Sequence, residues 1–392
     1  MTLSYKWWIL PAVALVAAGV FFSAPGPIAA RMNAVLQPPP YTPSTRAARL
    51  HAGLFVADMH ADSLLWGRDL MVRGTSGHVD VPRLIEGGVA LQAFTVVTQV
   101  PFGQNIDRNT GDWDEVTLLA LAERWPIPTW RSRLQRALYQ AARFNAFAAA
   151  SHGALFVIRT RDDLDAYVEA HHANPAITAG WLGIEGTQAL DGSLANLDAL
   201  DQAGFRMVGF THFFDTELAG SAHGVDKGGL TPMGRDLVRL MAERHMLADL
   251  AHASRQTILD VTAITTLPVV VSHGGVRGTC DNARNLDDES VRRIAATGGV
   301  VGIGYWTTAV CGPDADAVAR AIRYTANLVG VDAVALGSDF DGAISAPFDT
   351  TGVVLVTDAL VRAGFSDAEI RKIMGENVLR VLRQVLPEGG SR

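Results

Sequence analysis

Seven residues carry most of the chemical content of this sequence, and they recur at one kind of place. His60, Asp62, Glu185, His212, His252, His273 and Asp339 each close a run that is otherwise apolar. The first such run ends in Asp58-Met59-His60-Ala61-Asp62. Side chains alternate faces along a strand, so Asp58, His60 and Asp62 are expected on one side. An imidazole and a carboxylate two residues apart at a strand end can grip one cation together. Four imidazoles and three carboxylates gathered unpaired would be disfavoured by repulsion and desolvation, which bound cations offset. Imidazole and carboxylate without thiolate suit zinc or its neighbours rather than calcium or magnesium. Five ligands are more than one catalytic zinc needs, so the set predicts two zinc ions per chain. Glu185 can supply one bridge and a hydroxide the other, since a bridging water is acidified towards neutrality.

The elements between these residues must bring them together. Strand-like runs fall at Leu54–Asp62, Ala90–Val100, Ile177–Glu185, Phe205–His212, Met246–His252, Pro268–His273, Gly299–Trp306 and Val334–Asp339. Helical stretches separate them, and a Ser366-Asp367-Ala368-Glu369 capping box opens a closing helix to about Leu386. Residues 101–175 read as an insertion, with helical patterns at Asp114–Arg124 and Arg131–Ala150. Within it, Thr160-Arg161-Asp162-Asp163 caps a helix running to about His172. Eight β-then-α units predict an α/β protein with a parallel (β/α)8 barrel of metal-dependent hydrolase type. A doubly wound sheet is the alternative. The barrel explains a polar residue at nearly every strand end, because those ends converge on the face where barrel active sites sit.

Composition bounds the partners. The chain has 392 residues, 48% hydrophobic and 19% charged, enough for a large core, with a net charge of −7 and no basic run. Nucleic acid is therefore excluded as a partner. Lys6 precedes an apolar run from Trp7 to Phe22, broken by Ser23-Ala24-Pro25-Gly26-Pro27, and Ile28-Ala29-Ala30 offers a cleavage site. Residues 1–30 are thus expected to be a signal peptide or, if uncleaved, a membrane anchor. Either way the chain is exported, to a bacterial periplasm or cell envelope. Residues 31–50, with Gln37-Pro38-Pro39-Pro40-Tyr41-Thr42-Pro43, read as an extended linker to a catalytic domain at 51–388. The only cysteines, Cys280 and Cys311, can pair in an exported protein, or stand as two buried thiols.

Taken together, the segments resemble one family. They are Asp58–Asp62, Gly183-Ile184-Glu185-Gly186, Phe210-Thr211-His212, Asp249-Leu250-Ala251-His252-Ala253-Ser254, Val271-Ser272-His273, Ala283-Arg284-Asn285 and Gly337-Ser338-Asp339-Phe340-Asp341-Gly342. In this order, from about Leu54 to Leu386, they are similar to the membrane (renal) dipeptidase family of zinc peptidases. The resemblance implies a two-zinc barrel that cleaves dipeptides. By motif position, His60 and Asp62 would hold one zinc, His252 and His273 the other, and Glu185 would bridge. His212 would polarise the scissile carbonyl and stabilise the oxyanion. Asp339 would carry the proton from the attacking water to the leaving amine. Arg284 would clasp the substrate's free carboxylate, limiting the enzyme to short substrates. The resemblance also strengthens the pairing of Cys280 with Cys311.

Several assignments stay open at this level. Asp341 shares a strand face with Asp339, and only the family motif favours Asp339. Asp58 and Asp249 are either carboxylates orienting ligand histidines or satisfied barrel residues. His223 reads as a solvated loop residue or a substrate contact. His51, His78, His152, His171, His172 and His245 read as structural or surface residues. Phe213-Phe214-Asp215 and Tyr305-Trp306 depart from the family's pattern and are expected to shape the side-chain pockets. The resemblance makes D-residue dipeptides from cell walls a candidate diet and leaves a homodimer as one assembly. The alternatives are hydrolysis of another amide or lactam, or a non-hydrolytic role on a peptide metabolite in the envelope.

Overall fold

The computed structural model describes residues 6–389. Nine strands are described: β1 (Val56–Ala61), β2 (Val89–Val97), β3 (Leu155–Val157), β4 (Thr178–Glu185), β5 (Phe205–Gly209), β6 (Leu247–Asp249), β7 (Val269–Val271), β8 (Val300–Ile303) and β9 (Val334–Leu336). All pairings between them are parallel. β1 pairs with β2 and β9, β2 also pairs with β4, and β4 to β9 follow in sequence. This closes an eight-stranded (β/α)8 barrel, as the alternation predicted, and excludes the doubly wound sheet. The ninth strand, β3, was not foreseen. It is three residues long and pairs with Thr178–Gly180 of β4, before β5 takes over at Leu182.

Strands buried on both faces read as continuous apolar runs. Their alternate residues sort into two layers. Met59, Leu91, Ala93, Trp181, Met207, Val270 and Val300 form the barrel interior. Val56, Phe94, Ile184, Val208, Val271 and Ile303 pack outward against the helices. The expectation that Asp58, His60 and Asp62 share one face fails at a bulge. Between Asp58 and Ala61, β1 advances three residues while β2 advances two, from Gln92 to Phe94. The extra residue resets the alternation. Asp58 aligns with Leu336 of the outer layer, while His60 and Asp62 turn together towards the barrel mouth.

Six α-helices precede β3 among the described residues: α1 (Lys6–Ser23), α2 (Pro25–Met32), α3 (Thr45–His51), α4 (Val81–Glu86), α5 (Glu115–Ala122) and α6 (Arg133–Ala150). The residues expected as an extended linker carry the end of α2 and most of α3, and the stretch between these helices does not hang free. Val35 bridges Ala346, Leu36 and Gln37 donate to the carbonyls of Ala346 and Pro347, and Tyr41 packs on Phe348. Ser44 then caps α3 and its hydroxyl also bonds Asp358, so this segment is clamped to the barrel. Residues 1–5 of the expected leader lie outside the described residues.

The closing helix starts at the Ser366 capping box but is broken into three pieces ending at Val385. The break is at Gly375, where a Cβ would lie 1.9 Å from the Phe55 carbonyl oxygen. Only glycine lets the helix approach the start of β1 so closely.

Cys280 and Cys311 form a disulfide with their Cα atoms 5.3 Å apart. It ties the loop after β7, which carries Arg284, to the loop after β8, which carries Trp306. With the half-cystines 31 positions apart, reduction is expected to lower stability by about 3–4 kcal/mol in the chain-entropy picture. Urea unfolding with and without dithiothreitol measures this, and coincident midpoints would show that the bridge contributes nothing.

Candidate metal centre

Glu185 is the last residue of β4, and its carboxylate is the point on which the other groups converge. Its Oε1 lies 3.0 Å from His252 Nε2, 3.4 Å from His273 Nε2 and 3.9 Å from His60 Nε2. Its Oε2 lies 3.4 Å from His212 Nε2. His60 Nε2 in turn stands 3.4 Å from Asp62 and 3.8 Å from Asp339. All seven residues expected at strand ends are therefore in one cluster, and all are buried. Three overlapping subsets have ligand atoms close enough to share an ion: His60, Glu185 and His273; Glu185, His212 and His252; His60, Asp62 and Asp339.

The strands themselves stop short of most of these residues. His212, His252, His273 and Asp339 lie two or three residues beyond their strands, where the chain turns to aim the side chains. His252 and Asp339 take left-handed backbone conformations, with φ of 59° and 62°. Non-glycine residues there cost on the order of 1–3 kcal/mol each and persist only where the surroundings enforce them. One hydroxyl sets two of the rings. Ser272 Oγ lies 3.1 Å from His60 Nδ1 and 3.0 Å from His273 Nδ1, which leaves both Nε2 atoms pointing into the cluster. Thr95 holds Asp62 by a 2.7 Å hydrogen bond.

The donor set fits metal ions. His60 Nε2 and Glu185 Oε1 are buried without a hydrogen-bond partner, an arrangement that is unfavourable unless something positive lies between them. The protonation pattern says the same. Burial raises Glu185 well above the usual carboxylate range, with Asp62 adding to it. Burial also pushes Asp339 up to about 8, His60 pulling against it and Asp62 reinforcing it. Burial opposes a charged His60, yet Asp62, Glu185 and Asp339 outweigh it and push the imidazole up to about 10. His252 and His273 go the other way, lowered by burial, with Arg284 adding to the effect. His212 falls to about 3 through burial. The cluster retains protons on its carboxylate side and keeps neutral imidazoles on the other, so it has places for cations at both.

The open assignments now divide. Asp341 is not in the cluster. It accepts hydrogen bonds from Ser63, from Arg68 and from the backbone of His78 and Val79. Burial works against its charge, but Arg68 and His78 overcome it and hold the carboxyl well below the usual range. Asp58 accepts from the His60 backbone and from Ser338, and Asp249 from the backbone of Ala251 and Ser272. Both order the backbone beside ligands rather than the imidazole rings, which makes them satisfied barrel residues. His78 is structural, stacked on Phe340 and accepting from the Asp341 amide.

His223 is the correction. It is fully buried rather than solvated, because the chain folds back so that its ring packs on Phe213 and His252. Its Nδ1 donates to the Ile106 carbonyl at 2.7 Å, and its Nε2 has no partner. Burial lowers it to about 3, with Arg284 second. Only the sequence proximity to His212 could have signalled this residue.

A cavity of about 500 Å³ opens over the cluster, lined by Asp62, Glu185, His212, His252, Arg284 and Asp339 on its polar side. Arg284 is buried, donates one Nη to the His273 carbonyl at 3.0 Å and lies over the Trp306 ring. Phe213 and Trp306 line the cavity as expected of them. Phe214 instead packs against Gly111, and Tyr305 packs on Phe340 and Phe348, because both point away from the mouth.

The family model for membrane dipeptidases, peptidase family M19, matches residues 44–387. The chain belongs to this family. It is 28% identical over 320 residues to the dipeptidase tcpJ of Claviceps purpurea, covering 79% of this chain and 70% of that one. It is 32% identical over 240 residues to the dipeptidase aclJ of Aspergillus oryzae, covering 59% of this chain and 57% of that one. The match therefore spans little more than half the length of the Aspergillus protein. Among solved structures, the M19 metallopeptidase described as dipeptidase AC superposes with a TM-score of 0.68 at 25% identity, over 85% of this chain and 99% of its own. A metallopeptidase from Rhodobacter sphaeroides, liganded with a phosphinate mimic of the dipeptide L-Ala-D-Ala, has a TM-score of 0.67 at 24% identity, over 85% of this chain and 99% of its own. The family is metal-dependent, in agreement with the donor set.

Two measurements separate the roles of neighbouring groups. Asp341→Asn removes one partner of a buried ion pair and is expected to lower stability by about 3–5 kcal/mol. Asp339→Asn replaces a carboxyl that must take up a proton to be buried, so the metal-free unfolding midpoint should hold or rise; a fall as large as that of Asp341→Asn would contradict this reading. The second is a pH series. In the metal-free chain Asp339 keeps its proton to about 8 and His60 to about 10, whereas the unfolded chain releases these near about 4 and 6.5. The folded state then binds more protons than the unfolded one between about pH 6.5 and 10, so its stability falls as pH rises there. The lowered imidazoles act only below about 6.5, where unfolded histidines charge. Thermal unfolding from pH 7 to 9.5 should show a falling midpoint without metal and a flat one with it.

Proposed function

We propose that the chain is an exported, zinc-dependent dipeptidase with two metal ions per chain. One observation carries the reading: an imidazole–carboxylate cluster centred on Glu185 shares a cavity with a buried arginine. His60 and Asp62 would hold one ion, His252 and His273 the other, with Glu185 between them. When bound, the metals supply a water acidified towards neutrality and a positive field at the scissile carbonyl.

The remaining steps belong to the protein. Arg284 takes the substrate's terminal carboxylate through its guanidinium fork, which fixes the peptide bond over Glu185. Asp339 accepts the proton of the attacking water. It returns that proton to the amine as the C–N bond breaks, a role suited to a carboxyl raised towards neutrality. His212 is kept neutral by burial. Its Nδ1 contact with the Gln99 carbonyl is long, at 3.4 Å, so the tautomer with hydrogen on Nε2 is available to donate to the developing oxyanion. The burial of the site excludes bulk water and strengthens each of these contacts. The liganded Rhodobacter metallopeptidase supports including dipeptides with a C-terminal D-residue among the substrates. The apolar part of the cavity wall favours, as a second reading, an amide bearing a larger apolar group.

The test is purified, zinc-loaded protein against L-L and L-D dipeptides, the corresponding tripeptides and the dipeptide amides. Dipeptides alone should be cleaved, and Asp339→Ala should reduce kcat by at least about 100-fold. Arg284→Lys should raise KM about tenfold or more, because a point charge replaces a bidentate fork. Cleavage of the amides at the same rate would remove Arg284 from its role. Chelation should abolish turnover and lower the unfolding temperature together.

A further inference from the structure

The substrate cavity has a wall that the catalytic motifs do not supply. Pro25, Ile28 and Met32 of α2, with Phe21 at the end of α1, line the same cavity as Glu185 and Arg284. α2 is fastened there. Ala29 is buried in a cluster with Leu65, Trp66, Val116 and Trp125, and Met32 packs beside it. Asn33 bonds the Ala29 carbonyl and accepts from the amide of Ala343, four residues after Asp339. His78, which braces the Asp341 turn, reaches the Ala34 carbonyl at 3.3 Å. Cutting after Ala30 would sever α2 between two residues packed into the enzyme and would open the cavity.

α1 has the opposite character. From Trp7 to Ala30 the sequence holds no charged residue, and Leu10, Val13, Leu15, Val16 and Val20 are exposed around the helix. A protein groove would require only one apolar face, whereas this helix has no polar one. Lys6 stands at its start, while Arg124 lies over the Phe22 ring at its end and exposed Arg31 follows. Cations at both ends of an uncharged stretch match the two headgroup layers of a bilayer. No single described helix passes as a membrane span by length and composition, although the bent pair Ile9–Ser23 with Pro25–Met32 does. α2, however, is held by the enzyme, which leaves α1 for the lipid.

We propose that the N-terminal segment is a permanent part of the enzyme: α1 embeds in a lipid bilayer, and α2 walls the substrate cavity, holding its mouth at the membrane surface. The kinetic arm of the test rests on the dipeptidase reading; the processing and membrane arms do not. The full chain is expressed in a bacterial host, its intact mass is measured, and it is floated with phosphatidylcholine vesicles. The expected result is an uncut chain that floats. Leu15→Glu with Val16→Glu, both exposed and away from the cavity, should reduce the vesicle-bound fraction at least about tenfold and leave hydrolysis unchanged. Ile28→Glu should still float, and should raise KM for dipeptides with leucine or phenylalanine side chains about tenfold relative to glycylglycine. A mature chain beginning at Arg31, or an uncut chain that does not float, overturns the proposal. So does an Ile28→Glu chain whose KM values are all unchanged. An uncut, floating chain that cleaves no dipeptide would sink the dipeptidase reading while the membrane and processing arms still supported retention of the segment.

Discussion

The crowding of like charges around one buried carboxylate is the constraint on which this structure depends. Glu185, Asp62 and Asp339 are brought together out of water with four imidazoles, a grouping that is unfavourable without cations. The barrel makes it attainable. Eight parallel strands end on one face, and six of them contribute the cluster's seven residues at or just past their ends. No single strand or loop could place seven such groups together.

Local strain and local hydrogen bonding then set the aim of each side chain. The bulge in β1 turns His60 and Asp62 inward together, and left-handed backbone at His252 and Asp339 points both into the cluster. The surrounding polar groups enforce these conformations. Ser272 orients two imidazoles, Thr95 holds Asp62, and Asp58 and Asp249 fasten the turns through backbone amides. Asp341 does the same for the Asp339 turn by pairing with Arg68. Neighbouring carboxylates two residues apart thus serve opposite ends: one is paired with an arginine and structural, while the other faces the cluster beside His60 with its pKa raised by burial.

Much of this was legible in the sequence. Short β-branched runs such as Val269–Val271 and Val300–Ile303, bounded by turn residues, suit strands buried on both faces, and the capping boxes at Thr160 and Ser366 mark helix starts by local chemistry. Their alternation implies the barrel, and the polar residue closing each run implies the site. Three things were not legible. The short β3 has too few residues for periodicity to register. The β1 bulge leaves no trace in residue types, so the even spacing of Asp58, His60 and Asp62 misled. His223 looked like any loop histidine until the chain folded it against Phe213.

The sequence by itself determined the element order, the metal-binding residue types and their arrival at strand ends, because these depend on local periodicity and on chemistry carried by single residues. Tertiary structure alone decided which carboxylate of a neighbouring pair faces the cluster, which histidine is buried, and what walls the cavity. Those outcomes turn on contacts between residues far apart in the chain, such as Arg68 with Asp341, Ile106 with His223, and Asn33 with Ala343. A long-range contact has no periodicity to announce it; it exists only once the barrel has closed.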